Sequence, residues 1–387
     1  VVALLCWAVA AWAGLPLVML VAECIVGAVP GRPRPHPPAP PFAVLIPAHD
    51  EAAGIVTVVR AVAAQLRACD SMIVVADNCH DETAVLARAF GAQVVERHDP
   101  DRRGKAYALA HGRTALRLRP RAVIVIVDAD CCPQPGALPR LAAHAHRHRA
   151  AVQGCYLLTT PPEATPLVRV SNLAFMIKNL IRQRGLARLG GGALLQGTGM
   201  AFPWPVFATA PLETSSLVED LKLGLDLRLR GCAVRFDPHA CFTSQASAQG
   251  ATQGQRTRWE HGSIATAWRY VPRLMLAGLW GRPGLLLLAA DLAIPPLALL
   301  VAMGMVASLV LMVLAVLLGV LAPLLALIAA GCLAGATLSG VWLMLGRGIL
   351  PGAMARQLPR YLVWKLPIYR RLAGARQKSW VRTSREP

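Results

Sequence analysis

The sequence predicts an α/β domain with a mostly parallel sheet, in a chain that also crosses a membrane. Three observations predict this. Short apolar runs alternate with helical patterns between Phe42 and Trp259, acidic residues cluster just after three of those runs, and long apolar blocks lie on both sides of the region. Hydrophobic residues make up 55% of the chain and charged residues still 16%. That mixture is expected where a water-facing domain is joined to apolar segments.

Residues Val1 to Val29 are apolar apart from Glu23. A span needs about 20 residues, and a secretory signal peptide has a shorter apolar core, so this run reads as a transmembrane helix. A Pro-rich linker, Pro30 to Pro41, follows with Arg32 and Arg34. Lys and Arg stay on the cytoplasmic side, which places the N-terminus outside and the following domain in the cytoplasm.

Strand-like runs fall at Phe42–Ile46, Met72–Ala76, Gln93–Val95 and Val123–Val127, separated by helical patterns at Glu51–Leu66, Glu82–Phe90 and Lys105–Leu118. This alternation argues for parallel strands with crossover helices, in a domain running from 42 to 262. Polar residues follow the strands at Ala48-His49-Asp50-Glu51, Asp77-Asn78 and Asp128-Ala129-Asp130. Open α/β sheets bind ligands at the carboxyl ends of their strands.

A second apolar block, Leu285 to Leu345, has basic residues on both flanks. Both flanks inside requires an even number of spans, and the length allows two, Pro296–Leu318 and Leu321–Leu345. Asp291 and Pro295-Pro296 make Leu285–Ile294 an interfacial or kinked lead-in. Ser263–Trp280 and Tyr361–Ala373 mix basic and apolar residues and read as interfacial helices. The region 263–295 is thus interfacial, 296–345 holds two transmembrane helices, and 346–387 is a basic cytoplasmic tail.

The net charge is +19, and the tail after Met344 carries Arg347, Arg356, Arg360, Lys365, Arg370, Arg371, Arg376, Lys378, Arg382 and Arg385 against Glu386 alone. Next to apolar spans such a tail is juxtamembrane. No zinc-finger spacing or RNA-binding aromatic motif points to nucleic acid. The ten cysteines form no C-x-x-C pair, and Cys131 and Cys132 are adjacent, which fits reduced thiols in the cytosol.

Several strings carry chemistry. Asp128 and Asp130, one residue apart beyond a strand, can hold Mg²⁺ or Mn²⁺ between protein and phosphates; acidic pairs also occur in plain turns. Asp77 can receive base or ribose, while Asp81 in the same string suits a helix N-cap. Asp50-Glu51 after Pro47 has the same duality. Arg102-Arg103-Gly104-Lys105 is either a phosphate-attracting group or a solvated charge run. Glu219-Asp220 precedes the helical pattern Leu221–Leu229; the pair is either a cap or a source of a general base. In Gln255-Arg256-Thr257-Arg258-Trp259, arginine can neutralise a diphosphate and tryptophan can stack on a sugar ring, or the pair anchors at a membrane surface.

The ordered set Pro47-x-x-Asp50-Glu51, Asp77, Asp128-x-Asp130, Glu219-Asp220 and Gln255-x-x-Arg258-Trp259 resembles the family-two inverting glycosyltransferases of the membrane-bound synthase type, the group of cellulose, chitin and hyaluronan synthases. The resemblance covers Phe42 to Trp259. It implies a GT-A, Rossmann-like nucleotide-sugar domain that uses Mg²⁺ or Mn²⁺. Pro47, His49, Glu51, Asp77, Lys105 and Asp128 would line the nucleotide-sugar site and Asp130 would hold the metal. Asp220 would be the catalytic base, with Glu219, Thr198, Gly199, Gln255, Arg258 and Trp259 at the border of donor and acceptor. Gln196 to Met200 stands where relatives carry a loop near the acceptor, and is otherwise a Gly-rich turn.

The implied activity is transfer of a sugar from a nucleotide-sugar, a UDP-sugar first, to a growing polysaccharide. The setting is an integral protein of a bacterial inner membrane with its catalytic domain in the cytoplasm. Three spans are few for a polymer channel, which would call for interfacial helices, a second copy or an accessory export subunit. Transfer to a lipid acceptor stays open. A membrane nucleotidyltransferase would also use paired acids and a metal, and would release pyrophosphate. A scaffold or transporter subunit would leave the acids at three strand ends unexplained.

Overall fold

The computed structural model describes residues 1–32, 35–246 and 249–373; Arg34 and the tail beyond 373 lie outside it. The chain divides into two compact units. Among the described residues, the first is formed by 1–30, 163–191 and 264–373, the second by 31–162 and 192–263.

The second unit is built on an eight-stranded sheet. Its strands are β1 Phe42–Ala48, β2 Ser71–Asp77, β3 Gln93–Arg97, β4 Val123–Ile126, β5 Cys132–Pro133, β6 Ala151–Thr159, β7 Met200–Pro203 and β8 Val234–Gln245. They lie in the order β3-β2-β1-β4-β7-β6-β8-β5. The half β3-β2-β1-β4 is parallel, as the alternating pattern predicts. β7 runs antiparallel to both β4 and β6, so the sheet is mixed. β1 and β4 are buried along their whole length, which is why they read as unbroken apolar runs. β7 has four residues and reads as no strand on its own.

The predicted helices appear with shifted ends. The helix expected from Glu51 starts at Ile55, because Asp50 takes a left-handed φ of 51° and the Glu51 carbonyl accepts the N–H groups of Gly54 and Ile55 in a turn. The helix Lys105–Leu116 lies so close to the sheet that a Cβ on Gly112 would meet Leu45 Cδ1 at 2.5 Å. The helix Glu219–Leu229 begins at the acid pair itself. Acids in a first helical turn are favoured by the partial positive charge there.

The first unit holds three helices long and apolar enough to cross a membrane: Val2–Ala28, Leu297–Leu318 and Ala322–Gly346. They match the three spans read from the sequence. Residues 163–191 were expected inside the α/β domain, yet they belong to this unit. They form one rod, Pro166–Met176, a π-helical stretch Ile177–Arg182, and Gln183–Leu189. The rod buries Arg169, Asn172, Asn179 and Gln183 as well as apolar residues, so no amphipathic stripe marks it in sequence.

Glu23, the one charge in the first span, meets Arg182 of this rod at 2.8 Å. Arg182 also pairs with Asp291, of the helix Gly284–Leu292. Gly27 and Gly185 let backbones touch: a Cβ on Gly185 would lie 2.1 Å from the Glu23 carbonyl oxygen. Small residues allow such close crossings between apolar helices. Arg184 donates to the Gly27 carbonyl and Arg188 to those of Val26 and Val29, satisfying acceptors that a helix end leaves open.

Candidate active site

The parallel half of the sheet brings the ends of β1, β2 and β4 side by side, and the acidic strings follow those ends. Beyond β4, Asp128 forms an ion pair with Lys105, the first residue of its helix. Lys105 Nζ also donates to the Gly197 carbonyl at 2.7 Å. The backbone N–H of Asp128 donates to Thr198 Oγ1 at 3.1 Å. The loop 196–199 reaches Asp128 because β7, antiparallel to β4, starts opposite Ile126.

Gly197 and Gly199 both have positive φ, 93° and 62°, a conformation that glycine adopts at no steric cost. A Cβ on Gly197 would lie 3.2 Å from Asp220 Oδ2 and from Lys105 Nζ, and 3.8 Å from Asp128 Oδ2. One glycine therefore marks the meeting point of three predicted site residues. A small cavity beside it is lined by Lys105, Met200, Glu219 and Asp220, among others.

The charges at this point are coupled. Burial first, and then Asp220, push the Glu219 carboxyl up to about 7, with Lys105 opposing. Burial acts to lower the Lys105 ammonium, but Asp128, Glu219 and Asp220 outweigh it and hold the group above its ordinary range. Burial lowers Arg258, and Glu219 and Asp220 act on it in the opposite sense. Arg258 therefore belongs to the same charge cluster. It sits inside the helix Gln249–Leu279, whereas the sequence reading started a helix only at Ser263. Arg256 covers the ring of Trp259 at 5.1 Å from the centroid. The side chain of Gln255 lies outside the described residues.

A second group forms around β2. Asp77 is buried and paired with Arg97 at 2.6 Å. A ring nitrogen of His49 lies 2.7 Å from the Asp77 carbonyl oxygen. Pro47 is buried within β1, in register with Val75, rather than beyond the strand end. The backbone N–H of Glu51 donates to Thr83 Oγ1. Asp130 is half-buried and raises the nearby Tyr156 and Cys131, after burial itself.

Two residues of this region are not evident from the sequence. Gln153, fully buried in β6, accepts from the Gln196 N–H and donates to the Thr198 carbonyl, clamping the loop from behind. Arg97 ends β3 directly opposite Asp77. Its only sequence signal is a basic residue following the third apolar run.

This arrangement is a mixed Rossmann-like α/β sheet of the GT-A kind, with acids and cations gathered at the carboxyl ends of its parallel strands. Residues 38–262 match the family described as "glycosyltransferase like family 2", and the chain belongs to that family. It is a family-two nucleotide-sugar transferase. Among solved structures, the chain resembles a mannosyltransferase from Pyrobaculum calidifontis in complex with GDP-Man and Mn²⁺. That likeness has 17% identity, 97% coverage of this chain, 100% of the other and a TM-score of 0.55. Glucosyl-3-phosphoglycerate synthase from Mycobacterium tuberculosis, with Mn²⁺, UDP and phosphoglyceric acid, matches at 20% identity over 57% of this chain and 77% of that one, with a TM-score of 0.38. Comparison with curated proteins gave no match.

Proposed function

We propose that the protein is an inverting glycosyltransferase that moves a sugar from a UDP-sugar to a growing polysaccharide, with its catalytic domain on the cytoplasmic face of a bacterial inner membrane. The observation that carries this is the convergence of Asp128, Lys105 and Asp220 at Gly197, with Glu219 lining the adjoining cavity; Arg258 acts electrostatically on the acid pair. In this reading Asp220 takes the proton of an acceptor hydroxyl, and the hydroxyl oxygen attacks the anomeric carbon. The bond from that carbon to the diphosphate breaks, and a nucleoside diphosphate leaves with the electron pair. A single displacement inverts the anomeric centre. A Cβ on Gly197 would lie 3.2 Å from both Asp220 Oδ2 and Lys105 Nζ, so the base and a cation facing the leaving group act within one site, with Arg258 coupled to them electrostatically. Thr198 and Gly199 border donor and acceptor, and Trp259 stands one residue beyond Arg258.

The carboxylates of Asp128 and Asp130 suit Mg²⁺ or Mn²⁺, which prefer hard oxygen ligands. Asp130 would hold the ion, and Asp128 would serve beside it. When bound, the ion neutralises charge on the leaving diphosphate.

The test is incubation of the purified protein in lipid with a panel of radiolabelled nucleotide sugars, with size analysis of the product. Labelled polymer and free UDP support the proposal. A labelled glycolipid moves the acceptor to a membrane lipid. Release of pyrophosphate in place of a nucleoside diphosphate would refute glycosyl transfer.

A further inference from the structure

Asp77 ends β2 and Arg97 ends β3, and the two are direct partners in the strand register. Asp77 is only 4% exposed. Its Oδ1 accepts from Arg97 Nη1 at 2.6 Å and from Asn78 Nδ2 at 3.1 Å. A carboxylate oxygen offers two lone-pair sites, so Oδ1 is filled. Among the described residues no hydrogen bond reaches Oδ2.

Both donors are themselves held. Arg97 Nη2 donates to Asp99 Oδ2 and to the Arg102 carbonyl, each at 2.8 Å, and the guanidinium lies over the Tyr107 ring. Asn78 Oδ1 accepts the Asp99 N–H at 2.8 Å, and the Asn78 N–H donates to the Arg97 carbonyl at 2.7 Å. Neither donor can leave Oδ1 without breaking other bonds in the same network.

We propose that Arg97 is a specificity-determining residue for the nucleoside: by filling Oδ1 of Asp77 it leaves one acceptor oxygen for a base, which suits uracil and disfavours guanine. The proposal rests on the UDP-sugar reading above and takes Asp77, expected from the sequence to receive base or ribose, as the residue that meets the base. Guanine presents two adjacent donors, a ring N–H and an exocyclic amine, and a carboxylate takes them with both oxygens. Uracil presents a single ring N–H and needs one. A guanine here would leave a donor unpaired beside a cation. The cost of an unpaired buried donor corresponds to a roughly tenfold to hundredfold loss of affinity.

The experiment is calorimetric titration of the full chain in detergent with UDP and with GDP, each with Mn²⁺. It compares the wild type, Arg97→Met and Asn78→Ala, with melting temperatures measured alongside. The wild type is expected to bind UDP at least about tenfold more tightly than GDP. Both variants should move that ratio toward GDP, even where they weaken both nucleotides. A purely structural role for Arg97 would weaken the two equally and leave the ratio where it was. Should Arg97→Met fail to fold, Asn78→Ala decides, since it removes the smaller donor and leaves the ion pair. GDP bound as tightly as UDP by the wild type, or a ratio unmoved in the folded variants, overturns the proposal alone. Binding of neither nucleotide by the wild type removes the nucleotide-sugar reading, and this proposal with it.

Discussion

At the scale of single residues, the catalytic reading turns on an acid pair with unequal surroundings. Glu219 is held near 7 by burial and by Asp220, so near neutral pH it gives up a proton and adds a negative charge beside the base. The rate of transfer, measured as kcat/KM, is therefore expected to rise through about pH 7, and Glu219→Gln should remove that inflection. A flat profile from pH 5 to 9 would speak against the coupling. Stability moves the other way. A carboxyl raised in the fold binds its proton more tightly than in the unfolded chain. The resulting stabilisation is present below the ordinary value of 4.5 and is lost as pH rises through about 7, so the melting temperature should fall across that window. Asp220→Asn keeps size and hydrogen bonding and removes the basic oxygen. Turnover should drop by about two to four orders of magnitude while nucleotide affinity changes little. Near-normal turnover in a folded variant would move the base to Glu219.

At the scale of elements, the rod 163–191 is the part whose sequence misleads. Its half-buried Arg182 joins the buried Glu23 of the first span to the buried Asp291. Arg182→Ala would leave two carboxylates without their shared cation, a loss worth about 3–5 kcal/mol. Thermal unfolding in nanodiscs measures it; an unchanged transition would show that the triad carries no weight. The crossing at Gly185 is equally tight. Gly185→Leu places a side chain where the Glu23 carbonyl stands, and overpacking of this kind costs about 1–3 kcal/mol or forces the helices apart. The spans, by contrast, were legible because a membrane leaves one solution for about twenty apolar residues in a row. The strands were legible in the parallel half of the sheet, where short apolar runs alternate with helical patterns, and not at β7, which is buried but only four residues long. The helix Gln249–Leu279 was read too short: its first turns are polar, and a polar stretch before an apolar one resembles a loop in sequence.

At the scale of the whole molecule, the basic flanks predict an outside N-terminus and cytoplasmic placement of both the α/β domain and the tail. The turn after Leu318, where Gly319 takes a φ of 72°, should then face outward. A cysteine placed at Val320 is expected to react with a membrane-impermeant maleimide in intact cells. Cys69, exposed in the α/β unit, should react only after lysis. Labelling of Cys69 in sealed cells would invert the topology.

The sequence by itself determined the α/β class, the three apolar helices and the acids at the strand ends. Each follows from a local or periodic signal: burial on both faces of a parallel strand, a run of apolar length, a carboxylate one step beyond it. What only the tertiary structure decided are the partners. Arg97 stands opposite Asp77 because β3 pairs with β2 in one register. Gln153 grips the Gly197 loop because β6 and β7 are neighbours. Arg182 meets Glu23 across 159 positions of chain. Such contacts leave no period and no motif, because the geometry that creates them exists only once the sheet and the helices have packed.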